Sequence, residues 1–86
     1  MNKEQIKAKI IDIILNSFNN NGIAREIVDN IDLIKDIGMD SITYIYMVIA
    51  IEDNFNITIN DDQLIIQNFN NIDSIVAIVD NIINQH

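Results

Sequence analysis

The stretch Asp36-Ile37-Gly38-Met39-Asp40-Ser41-Ile42 runs without a spare residue into an apolar pattern that continues to Phe55. It joins a turn signal, one serine and a helix start. Glycine at position 38 suits a turn conformation that other residues adopt only with strain. Either Asp40 or Ser41 can serve as N-cap, since each has a side-chain oxygen able to accept an orphan backbone N–H. The helix is expected from Ser41 to Asn54, roughly 20 Å long at 1.5 Å per residue. Ile45, Val48, Ile51 and Phe55 make one apolar line along it, and Ile42 and Ile49 lie on a neighbouring face.

Upstream, Lys3 to Phe18 read as a first helix. Ile6, Ile10, Ile13, Ile14 and Phe18 recur at steps of three and four, and Ile11 and Leu15 widen the stripe. Asn19-Asn20-Asn21-Gly22 stops it, because asparagine and glycine tolerate the left-handed conformation of a helix C-cap. From Ile23 to Met39 no clean period holds. A helical turn could form around Ala24–Asp29, but the better reading is a long loop pinned across the bundle by its isoleucines. Downstream, Ile57 and Ile59 suggest a short extended link. Asn60-Asp61-Asp62 caps a short third helix through Ile66, which ends at Asn68-Phe69-Asn70. Asn71 then caps a last helix with the stripe Ile72, Ile75, Val76, Val79, Ile82 and Ile83, fraying at Asn84-Gln85-His86. The expectation is all-α: a bundle of three longer helices and one short one, with a long first loop.

Eighty-six residues suit a single domain spanning 1–86. Nearly half are apolar, enough for a real core. Without cysteine, disulfides, thiolate metal sites and a thiol nucleophile are excluded. No apolar run approaches the roughly 18 residues of a membrane span. Met1-Asn2-Lys3-Glu4-Gln5 lacks the features of a signal peptide, so a cytoplasmic location is expected.

Charge narrows the partners. Five basic residues face thirteen acidic ones, for a net charge of −8. Lys3, Lys7, Lys9, Arg25 and Lys35 all lie before the opening stretch, and no Lys or Arg follows. Phosphate-backbone binding and anionic membranes both require basic residues, so neither nucleic acid nor membrane is an expected partner. Proteins with basic patches are better suited, although acids also keep a small domain soluble. A monomer is expected.

Catalysis finds little support. The single histidine, His86, is terminal, and a Ser–His pair would need it ordered beside Ser41. The context of Ser41 lacks the second glycine of a G-x-S-x-G elbow. Asp53 to Asp62 superficially suggests a calcium loop, but there is no glycine at the sixth position and no acid at the twelfth, so no metal is expected. Ser41 remains. A serine at a helix N-terminus sits at the positive end of a dipole, where a phosphate ester is tolerated. On spacing alone a serine here is more commonly just an N-cap, and spacing does not decide between the two.

Leu33-Ile34-Lys35-Asp36-Ile37-Gly38-Met39-Asp40-Ser41-Ile42, followed by Ile49-Ala50-Ile51-Glu52-Asp53-Asn54-Phe55-Asn56-Ile57, resembles the acyl carrier protein family. The shared pattern is aspartate, an apolar residue, glycine, any residue, then Asp-Ser-Leu or Asp-Ser-Ile, with an acidic pair before a phenylalanine closing the helix. The likeness extends through Asn60-Asp61-Asp62 and the last helix. It implies a four-helix fold in which Ser41 receives 4′-phosphopantetheine from coenzyme A through a phosphopantetheinyl transferase with magnesium. The arm's thiol then carries acyl or aminoacyl groups as thioesters between loading and processing enzymes, and the chain itself is not a catalyst. By family position Asp40 and Ile42 adjoin the arm. Asp36, Ile42, Ile49, Glu52 and Asp53 are the implied partner contacts, with core packing the competing reading for Ile42 and Ile49; Tyr46 joins them because aromatic residues are favoured interface anchors, although it could equally cover the bundle. Carriers of bacterial fatty acid synthesis usually place acids just after the serine, whereas Thr43 and Tyr46 stand here. This departure favours a discrete carrier of polyketide or nonribosomal peptide assembly at least as much as one of fatty acid synthesis; a D-alanyl carrier is favoured less, because the acid-glycine approach to the serine fits the other branches better. The rival class is an unmodified helical interaction module in which Ser41 is only a cap.

Overall fold

The computed structural model describes residues 1–17 and 31–84. Three α-helices form the frame: α1 (Lys3–Ser17), α2 (Ser41–Phe55) and α3 (Ile72–Ile83). No strand occurs among the described residues. The C-terminal stop of α1 and the turn expected at Ala24–Asp29 lie outside the described residues, as does Phe18.

α1 starts with a reciprocal cap. Asn2 Oδ1 accepts the Gln5 N–H at 2.9 Å, and Gln5 Oε1 accepts the Asn2 N–H at 3.0 Å. This is a capping box with amides in both places. Ile6, Ile10, Ile11, Ile13 and Ile14 are buried along α1, which packs against both α2 and α3. α3 follows its sequence pattern closely: Asn71 Oδ1 accepts the Ser74 N–H at 2.8 Å, and Ile72, Ile75, Val76 and Val79 are buried.

α2 departs from expectation in which face it buries. Met47, Val48 and Ile51 are buried, with Tyr44 and Phe55 half-buried on the same stripe, whereas Ile45 is 53% exposed. The apolar line therefore runs 44-47-48-51-55, not through Ile45. From Ser41 to Ile51 the helix carries no charge and is apolar almost all round, so its composition does not mark an inward face. Its C-terminus closes on Asn56, held at φ 53, whose N–H reaches Glu52 O. Lys9 Nζ, 3.4 Å from Asn54 O and 5.4 Å from the Phe55 ring centroid, caps the same end from α1.

The expected short third helix is replaced by two 3-10 turns, Asp61–Gln63 and Ile66–Phe69. Ile65 between them is extended, at φ −115 and ψ 126. The segment is too short to nucleate an α-helix, and adjacent β-branched isoleucines favour the extended break. Asn60 makes no side-chain cap bond. Phe69, read as part of a helix stop, is instead fully buried and meets the Tyr44 ring edge-on, with centroids 5.3 Å apart.

Candidate functional site

Residues 33–37 form a turn that leads into α2. Asp32 caps it: Oδ1 accepts the N–H groups of Ile34 and Lys35, each at 2.9 Å, while the Asp32 N–H donates to Asp36 Oδ2 at 2.9 Å. At the far end the N–H of Gly38 reaches Ile34 O at 3.1 Å, and that of Met39 reaches Leu33 O at 2.9 Å. These nested bonds form a wider relative of the Schellman closure. Leu33 and Met39, the two ends of the loop, are buried in the core.

Gly38 has φ +81, and a Cβ there would meet nothing within 4 Å. Its requirement is conformational, not steric. Gly38→Ala is therefore expected to destabilise by about 1–2 kcal/mol, with Gly38→Asn closer to wild type, read from urea unfolding midpoints.

Asp40, not Ser41, caps α2. Its Oδ1 accepts the Thr43 N–H at 2.8 Å, from an extended backbone at φ −99 and ψ 179. Ser41 is thus the exposed first residue of the helix, with its hydroxyl outside the capping bond. The Thr43 N–H, then the Thr43 hydroxyl, holds the Asp40 carboxyl below its ordinary 3.8. The Lys35 N–H acts first in the same direction on Asp32. A depressed folded value means the stabilisation is complete above the unfolded pKa and is lost as pH falls through the folded one. Melting temperature should therefore drop below about pH 4, and Asp40→Asn, which keeps an accepting oxygen but cannot titrate, should shrink that drop.

Ile42, Tyr46 and Ile49 are 65%, 66% and 48% exposed and line up at steps of four and three down α2 from Ser41. Core packing, the competing reading for Ile42 and Ile49, is not what the fold does with them. Ile45, one helical turn from both Ile42 and Ile49, adds to this exposed apolar surface. Beside it lies a cavity of about 180 Å³ walled by Tyr44, Ile45, Val48, Ile49 and Leu64. The Tyr44 hydroxyl is buried with no hydrogen-bond partner, and burial raises its pKa above the ordinary 10.0.

The acidic residues divide. Asp53 is exposed, but half-buried Glu52 accepts the Ile59 N–H through Oε2 at 2.9 Å and so holds the chain after α2. Asp36 is exposed, with one carboxylate oxygen bonded to the Asp32 N–H. The sequence pattern marks Asn70 only as part of a helix stop and gives Asp32 no role, although Asp32 stands where an N-cap would, ahead of Leu33-Ile34.

A family model described as the phosphopantetheine attachment site matches residues 21–79, more than half of the chain. The chain belongs to this family, that of the acyl and peptidyl carrier proteins, whose covalently bound group is 4′-phosphopantetheine. Neither the comparison with curated proteins nor that with solved structures gives a match. As a carrier domain it works with a phosphopantetheinyl transferase and with biosynthetic enzymes. No helix among the described residues is long and apolar enough to cross a membrane.

Proposed function

We propose that Ser41 is the attachment point and that the arm it bears holds acyl or aminoacyl intermediates as thioesters, the chain being a discrete carrier of polyketide, nonribosomal peptide or fatty acid assembly. The observation that carries this is the division of labour at the start of α2: Asp40 makes the cap bond, and Ser41 is exposed at the first helical position. Ser74, the other serine within the matched stretch, is half-buried in α3. In the transfer the Ser41 Oγ–H proton passes to a base supplied by the transferase, Oγ forms a phosphodiester with the phosphopantetheinyl phosphorus of coenzyme A, and the pyrophosphate bond breaks with 3′,5′-adenosine bisphosphate as the leaving group. Backbone N–H groups at the N-terminus of α2 favour the resulting phosphate anion.

An acyl chain would find the cavity walled by Val48, Ile49 and Leu64 on the same helix face, each methylene leaving water contributing about 0.8 kcal/mol. The test is incubation with coenzyme A, magnesium and a broad-specificity transferase, read by intact mass. One added phosphopantetheinyl group is expected. A folded protein left unmodified by several such transferases would favour the unmodified interaction module instead.

Docking would use Ile42, Tyr46 and Ile49 as apolar contacts and Asp53 as an acidic one at the far end of the face. Asp36 and Glu52 would contribute less, because each has a carboxylate oxygen in an internal bond. Asp53→Lys is expected to slow loading at low ionic strength and to flatten its salt dependence. Loading kinetics that are indifferent to this reversal at low salt would remove Asp53 from the docking surface.

A further inference from the structure

The loop that delivers Ser41 has no ladder of its own, yet it is tied at two points to a single residue at the foot of α3. The Leu33 N–H donates to Asn70 O at 2.6 Å, and Asn70 Nδ2 donates to Asp32 Oδ2 at 3.2 Å. Asn70 Oδ1 in turn accepts from Asn71 Nδ2 at 3.1 Å, and Asn71 caps α3. Asp32, Asn70 and Asn71 are all half-buried. The Asp32 carboxylate thus works with both oxygens: Oδ1 organises the turn at Ile34 and Lys35, and Oδ2 joins that turn to Asn70. Leu33 O receives the Met39 N–H, and only Asp40 separates Met39 from Ser41. A continuous path of hydrogen bonds therefore runs from the cap of α3 to the residues that precede the serine.

We infer that Asp32 and Asn70 form a clamp that positions Ser41 for phosphopantetheine transfer, fixing the turn at 33–37 and the Gly38–Asp40 segment it leads into, so that the hydroxyl is presented in a single geometry to the transferase. The inference rests on Ser41 being the attachment point. Neither residue touches the reacting atoms; both act through the turn. Displacing a nucleophile by a fraction of its reach slows the chemical step more than it weakens binding. The clamp should therefore be read in kcat of loading, whereas the exposed face of α2 should be read in KM.

The pair lends itself to exchange of roles. Asn70→Asp sets two carboxylates against each other and opens the side-chain bond. Adding Asp32→Asn restores one donor and one acceptor, and the amide oxygen introduced at position 32 can still cap Ile34 and Lys35. Loading kcat is expected to fall about tenfold in Asn70→Asp with KM little changed, and to return to within about twofold of wild type in Asp32→Asn/Asn70→Asp. Amide hydrogen exchange at Leu33 and Met39, measured without any transferase, should quicken in the single variant and slow again in the double. Asn70→Ala keeps the carbonyl bond from Leu33 and serves as the milder arm if Asn70→Asp fails to fold. An unchanged kcat in the folded single variants, or a double variant no faster than Asn70→Asp, overturns the clamp. Failure of wild-type protein to load at all would instead overturn the attachment point, and the exchange measurement would still judge the clamp.

Discussion

Ser41→Ala is expected to show no mass gain after incubation with coenzyme A, magnesium and a transferase that adds one phosphopantetheinyl group to wild-type protein. The loss should be complete, because no neighbouring group replaces the oxygen that forms the phosphodiester. The substitution also separates chemistry from folding. Had Ser41 been the cap, its removal would cost about 1 kcal/mol of helix stability. Asp40 makes that bond to the Thr43 N–H, and alanine is the best helix former at an exposed helical position, so the variant should melt within about a degree or two of wild type. Loss of loading in a protein with unchanged melting is the signature of an attachment point. A mass gain that survives in Ser41→Ala, mapped by peptide analysis to Thr43 or Ser74, would move the site.

Phe69→Ala should have the largest effect on stability, about 3–5 kcal/mol. The ring is fully buried and stacks edge-on against Tyr44. It lies in a segment held by short 3-10 turns instead of a helix of its own, so little local structure would survive its loss. A domain of this size has roughly 4–13 kcal/mol in all, so the variant should be partly unfolded near room temperature or lose most of its denaturant midpoint. Phe69→Leu, which leaves a smaller void, should retain the fold at reduced stability. A midpoint for Phe69→Ala close to wild type would mean that residues 61–70 do not pack as described.

How much of this was legible in the sequence varied with the contrast between faces. α3 alternates its apolar stripe with Asp73, Asn81 and the cap Asn71, and its bounds and buried face follow from that pattern. The start and buried face of α1 follow in the same way, and the Asn-x-x-Gln of its reciprocal cap was there to be read. α2 was placed to within one residue, yet Ile45, expected on the apolar line, is exposed, and Met47, which that line did not include, is buried, because nothing polar distinguishes one flank of that helix from another. The short segment after Asn60 looked helical because Asp61-Asp62 imitates a first turn, and the extended break at Ile65 is marked only by a pair of β-branched isoleucines of the kind that α1 and α3 carry within their helices. Ser41 stood out through its motif, and its freedom from capping needed the backbone of Asp40 to be seen. The bond between Asp32 and Asn70 spans 38 positions and had no signal in either local context. Glu52, which reads as a surface acid, is held by a backbone N–H seven residues further on.

Tyr44 and Tyr46 are the only tyrosines in a chain without tryptophan, and two helical steps send them to opposite environments. The protein thereby carries two built-in optical reporters. Tyr44, fixed against Phe69, should dominate the near-ultraviolet circular dichroism and fade when the core loosens. Tyr46, out on the face that descends from Ser41, should account for most of the emission that iodide can quench, and should be shielded when a partner seats there. Folding and docking can be followed in one sample, by ellipticity and by quenching, with no label added to a molecule whose surface is itself the object of interest.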